Sequence, residues 1–299
     1  MRRARGVALF DYSSFTQFLV QGPDAEPALQ RLCTADVAVP VGRLVYTQML
    51  NERGGIEADV TVTRLAEDRY LVVGAAAEQR RDLDWLERNL RGRVAVTDVS
   101  SGYCTLAVMG PRSRELLAGL TTADLSNEAF PFLASREIDL GHVVVRASRV
   151  SYVGELGYEL MVPTEFGPYV FDLLAEAGRG VGLRLAGFHA LNSLRLEKAY
   201  RLWGYDMGSH DTPLEAGLGF TVAWDKAGGF LGRDALLRQR EAGGPATARA
   251  ARPGRPRAAR LPHRADLAER GARGDRHLRH VRAHAGGDRR ARVGRASGR

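Results

Sequence analysis

The feature that most constrains the fold of this chain is a break in texture at Gly244. Up to that point apolar residues recur with the periods of helices and strands. From 245 to 299 the sequence is mostly Arg, Ala, Gly, Pro and His, with only Leu261, Leu267, Leu278, Val281 and Val293 as larger aliphatics. A segment so poor in apolar residues cannot bury enough surface to offset the entropy of folding. The expected organisation is a folded unit over 1–244 and an Arg-rich, disordered tail over 245–299. The charge divides at the same place. Of 43 basic and 35 acidic residues, 16 and 4 lie in the tail, which leaves 27 bases against 31 acids in the first 244 residues. The net charge of +8 therefore describes the tail, and specific nucleic-acid binding by the folded unit is not expected. The amino end, MRRARGVALFDYSSF, lacks the apolar stretch of a signal peptide, and no run of 18 uncharged apolar residues occurs. No membrane association and a cytoplasmic location are expected. Cys33 and Cys104 are too few for a disulfide framework or a structural zinc site, so buried free thiols and no metal are expected.

Within the first 244 residues the pattern is α+β. Strand-like runs occur at FTQFLVQG, ADVTVTRL, YLVVGAA, TLAVMG, HVVVRASRVSYV, YELMVP and LGFTVAW, and helical patterns fit AEPALQRL, EQRRDLDWLERNL, RSRELLAGL, FGPYVFDLLAEAG and HALNSLRLEKAY. Two segments share one design. FLVQGPDAEPALQRL and LAVMGPRSRELLAGL each run strand, Gly-Pro, helix, with Pro23 and Pro111 where a missing amide costs little. The repetition suggests two related α+β halves.

Three segments carry residues suited to chemistry. In YTQMLNERGGIEADVTVT, beginning at Tyr46, Gly54 and Gly55 permit a tight turn between two strands. Asp59 then falls among Val60, Val62 and Leu65, where a carboxylate is either a turn-flanking cap or a buried group tuned for proton transfer. In SYVGELGYEL, Tyr152, Glu155, Tyr158 and Glu159 place two carboxylates and two phenols within eight residues, and Gly154 and Gly157 would let a flat ligand approach. This reads as a polar hairpin turn or as a carboxylate site for a ring edge with adjacent N–H donors. In GFHALNSLRLEKAYRLWG, Leu191, Leu194 and Leu202 make a core stripe, Arg195 and Glu197 suit structural pairing, and His189 suits a surface or capping role. Glu215, in the following TPLEAGLGFTVAW run, reads as structural.

Taken together and in this order, VALFDYSSF, LNERGGIEADVTV, LAVMGP, SYVGELGYELMVP, GLRLAGFHALNSLRLEKAYRLWGYDM and DTPLEAGLGFTVAWDKAGGFLGRDALL closely resemble the glycine cleavage T protein (aminomethyltransferase) family over residues 6–240. NERGGIEADVTVTRL and SLRLEKAYRLWG resemble the carboxy-terminal part of dimethylglycine and sarcosine dehydrogenases more than the T protein itself. The resemblance implies two ferredoxin-like α+β lobes, a third β-barrel domain, and a tetrahydrofolate site in a central hole. It implies that Asp59 is the catalytic carboxylate, that Glu159 binds the pterin, and that Tyr152 stands at the site, with Glu155 and Tyr46 as further folate-contacting positions. Where the T protein has Arg-Asp before SLRLE, this chain has Leu191-Asn192, which favours the demethylase branch. The implied function is a one-carbon acceptor module forming 5,10-methylene-tetrahydrofolate. Its partner would be an FAD-dependent amine dehydrogenase domain or subunit, because no Gly-rich dinucleotide fingerprint follows a strand here and the chain begins inside the family pattern at VALFD. A free-standing glycine cleavage T protein and a noncatalytic folate-binding regulator of the iron-sulfur-assembly type are the alternatives. The latter's KGCYxGQE signature is replaced here by SYVGELGYE.

The family pattern continues into a third domain that the tail does not resemble. With Arg as CGN and Leu as CTN, shifting the reading by one base lets DRHLRHVRAHAGG become Thr-Gly-Ile-Cys-Gly-Met-Tyr-Gly-His-Thr-Leu-Gly. The same shift lets LPHRADLAERGARG become Tyr-His-Thr-Glu-Pro-Ile-Trp-Arg-Asn-Gly-Glu-Arg-Val-Gly. Both lie in one frame and in the family's order, so the tail reads as a frameshifted remnant of the third domain, beginning near residue 245.

Overall fold

The computed structural model describes residues 6–243. The expectations for the tail, its disorder and its frameshift origin, lie outside the described residues. In chain order the elements are β1 (Ala8–Asp11), β2 (Thr16–Gln21), α1 (Ala25–Leu32), β3 (Leu44–Leu50), β4 (Ile56–Ala66), β5 (Arg69–Gly74), α2 (Gln79–Asn89), β6 (Ala95–Asp98), β7 (Tyr103–Met109), α3 (Ser113–Ala118), β8 (Ser135–Leu140), β9 (Val143–Ser148), β10 (Gly157–Pro163), α4 (Gly167–Ala177), β11 (Arg184–Leu185), α5 (Phe188–Glu197), α6 (Pro213–Ala216) and α7 (Arg233–Glu241). The α+β expectation holds, and the strands form two sheets, ordered β3-β4-β5-β2-β6 and β8-β9-β10-β7-β1-β11. Among the described residues neither sheet closes into a barrel.

The two sheets repeat one plan. In each, a strand leads through Gly-Pro into a helix, a three-stranded meander returns to pair with that first strand, and a second helix follows. Strand β7 corresponds to β2, and β8-β9-β10 correspond to β3-β4-β5. The place of β6 beside β2 is taken beside β7 by β1, from the start of the chain, also antiparallel. Setting aside the outer strand of each meander, both lobes are ferredoxin-like. The repeat reaches single residues. Gly22 and Gly110 both sit at positive φ, 135° and 136°, and a Cβ would fall 2.3 Å from the Arg93 carbonyl oxygen in one lobe and 2.4 Å from that of Gly6 in the other. Only glycine lets the chain turn that closely against the neighbouring strand's entry.

Each lobe buries one sheet face under its helices. Phe18, Val20, Ala58, Val60, Val62 and Val72 pack with Leu29 and Leu32 of α1 and Leu86 of α2. Leu106, Val108, Tyr158, Leu160 and Val162 pack with Leu116 and Leu117 of α3 and Val170 and Leu174 of α4. Because side chains alternate along a strand, the residues between these point from the helix-free faces. Those faces carry two further clusters. Phe10, Tyr12, Ala107 and Met109 meet Val153 and Leu191, while Leu50 and Ile56 meet Met207, Ala216, Leu218, Val222, Phe230 and Leu236.

One expected strand is not found. LGFTVAW forms a 3-10 turn at Gly219–Thr221 after α6, with Phe220 79% exposed and Ala223 N–H donating to the Thr34 carbonyl. Its alternating pattern has no strand to pair with, and the Thr212–Glu215 capping box with left-handed Gly217 starts and stops a single helical turn before it. Glu215 is thus structural, as expected.

Candidate active site

A bulge sets the first wall. Along the β3–β4 ladder Met49 faces Ala58, but the next pair is Leu50 with Ile56, so Glu57 is an extra residue. The bulge puts Ile56 on the same helix-free face as Asp59, and Leu50 on that of Gln48 and Tyr46. Glu57 is turned to the edge, where it pairs with Arg81 and accepts from Asn51 Nδ2 at 2.7 Å. Asn51 Oδ1 accepts from the amides of Arg53 and Gly55, both at 3.0 Å, and so builds the tight turn expected at the glycine pair.

Asp59 lies mid-strand, and the turn-capping alternative does not apply to it. Gln48 Nε2 donates to Asp59 Oδ1 at 2.9 Å, and the Tyr46 phenol is a second hydrogen-bonding partner. The carboxyl is enclosed by protein yet keeps partial solvent exposure. Burial pushes its pKa up to about 6 against the opposing effect of these two hydrogen bonds. Burial, then the neighbouring Asp59 charge, raises Tyr46 well above the usual phenol range, so Tyr46 stays a donor.

Glu159 forms the corresponding wall of the other lobe. It lies between Tyr158 and Leu160 on β10, opposite Ala107 of β7, and so projects from the helix-free face. It too is enclosed but partly exposed, and among the described residues no hydrogen bond reaches its carboxylate. Burial alone pushes it up to about 7. Two phenols lie near these carboxyls. Tyr12, fully buried, is within electrostatic reach of Glu159 and Tyr152, and Tyr152 within reach of Asp59. Tyr152 stacks on Tyr200 with ring centroids 5.9 Å apart and donates its hydroxyl to the Arg201 carbonyl. The loop bearing that carbonyl is held by buried Arg195, whose guanidinium pairs with Asp206 and donates to Asn192 Oδ1. Arg195 therefore pairs with Asp206 rather than Glu197, while Leu191 is buried and His189 is exposed.

Asp59 and Tyr46 are thus close neighbours and Tyr152 is within electrostatic reach of Asp59, whereas Glu159 is linked to this group only through Tyr12. Glu155 stands apart from them: it is exposed on the loop before β10. The expectation that Gly154 and Gly157 make room for a flat ligand is corrected. Lys198 methylenes stand 2.4 Å from where a Cβ of Gly154 would be, and Met109 and Ser151 stand 3.0 Å from that of Gly157, so these glycines accommodate protein. Sequence reading missed Gln48 and Tyr12, since a neutral amide and one aromatic among many carry no signal without the register. A separate cleft of about 650 Å³, lined by Glu52, Lys226, Phe230, Arg233 and Asp234 among others, contains none of these residues. Cys33 is buried and Cys104 half-buried, both free. Among the described residues no helix is long and apolar enough to cross a membrane.

The class is that of two ferredoxin-like lobes, each with an enclosed carboxylate on its helix-free sheet face. The GCVT N-terminal domain matches residues 2–226, and the chain belongs to that family. It is 48% identical over 234 residues to 4-methylaminobutanoate oxidase (formaldehyde-forming) of Paenarthrobacter nicotinovorans, covering 78% of this chain and 28% of that protein. It is 40% identical to human mitochondrial sarcosine dehydrogenase, covering 79% and 28%, and 39% identical to the aminomethyltransferase of Halothermothrix orenii, covering 79% and 65%. The crystal structure of glycine cleavage system aminomethyltransferase T from Bartonella henselae matches with TM-score 0.72 and 30% identity, over 81% of this chain and 65% of that one. The chain thus spans between about a quarter and two thirds of the length of these relatives.

Proposed function

We propose that residues 6–243 form a tetrahydrofolate-binding, one-carbon-accepting module that works with an FAD-dependent amine-oxidising domain or subunit. The observation that carries this reading is the pair of enclosed carboxylates, one from each lobe, only one of which has a hydrogen-bond partner among the described residues. Glu159, enclosed but partly exposed and without a hydrogen-bond partner among the described residues, suits a planar ring edge presenting adjacent N–H donors, as a pterin does. Tetrahydrofolate supplies the N5 amine that captures a one-carbon unit as 5,10-methylene-tetrahydrofolate.

The chain's own contribution is positioning and proton handling. Glu159 anchors the ring edge, which fixes the reacting amine relative to the opposite wall. Asp59, held by Gln48 and Tyr46 with its pKa near 6, offsets developing positive charge or takes up the proton released on attack. The greater identity to an oxidase of a methylamino acid than to the aminomethyltransferases favours an N-methyl amine as the one-carbon source. Leu191 agrees with this, being packed in the core where the T-protein pattern has Arg. The test is tetrahydrofolate titration together with methylene-tetrahydrofolate formation beside an N-methyl-amine-oxidising flavoenzyme. Asp59→Asn should lower product formation and leave binding nearly intact; equal product yields would remove Asp59 from the reaction.

A further inference from the structure

The hydrogen bond that reaches Asp59 is itself held from behind by a residue far away in the chain. Gln48 is fully buried, and its Oε1 accepts from Thr221 Oγ1 at 2.6 Å while its Nε2 donates to Asp59 at 2.9 Å. Thr221, 8% exposed, lies 173 residues away on the turn after α6, and its hydroxyl is also 2.8 Å from the Leu218 carbonyl. The side chain is therefore held at both ends, and the carboxylate at one of them sets which way the amide is turned. Turning it over would place two acceptor oxygens against each other at the Asp59 carboxylate, and Thr221, its single proton passed to the Leu218 carbonyl, would then accept from the amide instead of donating to it. The Gln48 backbone is fixed as well, since its N–H donates to Thr34 Oγ1 at 3.3 Å and its carbonyl accepts from the Thr34 amide at 2.8 Å.

We propose that Thr221, acting through Gln48, is the positioning residue that aims a donor at Asp59 and so fixes the orientation of that carboxylate. The inference deepens the proposed function and rests on it only for its consequence in catalysis. The residue is contributed by the 3-10 turn that sequence patterning reads as a strand. The remaining groups acting on or near Asp59 are Tyr46 on β3, Tyr152 in the loop before β10, and Asp82 on α2. None of them contacts Thr221 among the described hydrogen bonds, so substituting Thr221 perturbs one path only.

The experiment is a carboxyl carbon NMR titration of the full chain labelled at aspartate, with the Asp59 resonance assigned by its loss in Asp59→Asn. A hydrogen bond to the charged form lowers a carboxyl's proton affinity, so Thr221→Val should raise that of Asp59 by several fold. Gln48→Met, which deletes the donor, should raise it about tenfold or more. Thr221→Ser, which restores the hydroxyl, should titrate like the native chain. The pH profile of one-carbon capture should move in the same direction. A native midpoint in Thr221→Val would overturn the proposal, and if that variant does not fold, a native midpoint in Gln48→Met would do the same. Failure of tetrahydrofolate to bind the native chain would instead strike the proposed function and leave the NMR result standing.

Discussion

At the scale of single residues the account turns on carboxyls kept partly protonated by burial. Asp59 is raised to about 6, and Glu159 and Asp82 to about 7, burial leading in each case. A carboxyl with a raised folded-state pKa stabilises the fold fully below its unfolded value near 4, and loses that contribution as pH rises through 6 to 7. The chain should therefore melt at lower temperature at pH 8 than at pH 5, and Glu159→Gln, permanently neutral, should flatten part of that dependence. Melts across the range check this, and an unchanged slope in Glu159→Gln would show that Glu159 titrates normally. Asp59 stood out in sequence because a carboxylate between apolar strand residues is anomalous, and Glu159 because two carboxylates and two phenols crowd into eight residues that resemble the family's folate segment. Gln48, Thr221 and Tyr12 did not, because neutral polar and aromatic side chains are ordinary until the fold brings distant segments together.

Among elements, the Gly-Pro turns carry the most testable claim. Gly22 and Gly110 occupy equivalent places in the two lobes, with φ of 135° and 136° and carbonyls 2.3 and 2.4 Å from any added Cβ. Gly22→Ala and Gly110→Ala should each cost about 3 kcal/mol or more, and by similar amounts, from backbone strain and steric overlap. Denaturant unfolding measures both; a tolerated substitution at either would break the equivalence. The loop that accepts the Tyr152 hydroxyl depends on Arg195, only 4% exposed at its side chain, and Asp206, 29% exposed. Asp206→Asn should cost about 2 kcal/mol, nearer the lower than the upper range for a charge-assisted bond because of that exposure. The strand–turn–helix repeat was readable from FLVQGP and LAVMGP. The bulge at Glu57 was not, since an extra residue in one strand leaves composition and alternation nearly intact while changing which side chains share a face.

For the whole molecule, the division at 244 and the out-of-frame origin of the tail stand as proposals from the sequence. On that proposal, restoring the frame replaces a segment carrying 16 Arg against 4 acids. Adsorption to nucleic acid that weakens with salt should then disappear, and tetrahydrofolate should be held more tightly. Sequencing the gene across codons 235–260 decides the frame directly. The proposed folate site lies within residues 6–243. Folate binding there is tested most directly by titrating tetrahydrofolate into the native chain and Glu159→Gln at pH 8 and at pH 5.5. If Glu159 anchors the ring edge as a carboxylate, the variant should bind about tenfold more weakly at pH 8, roughly the loss of one charge-assisted hydrogen bond. At pH 5.5, where Glu159 is mostly protonated, the two should bind almost alike. Equal affinities at pH 8 would contradict the account.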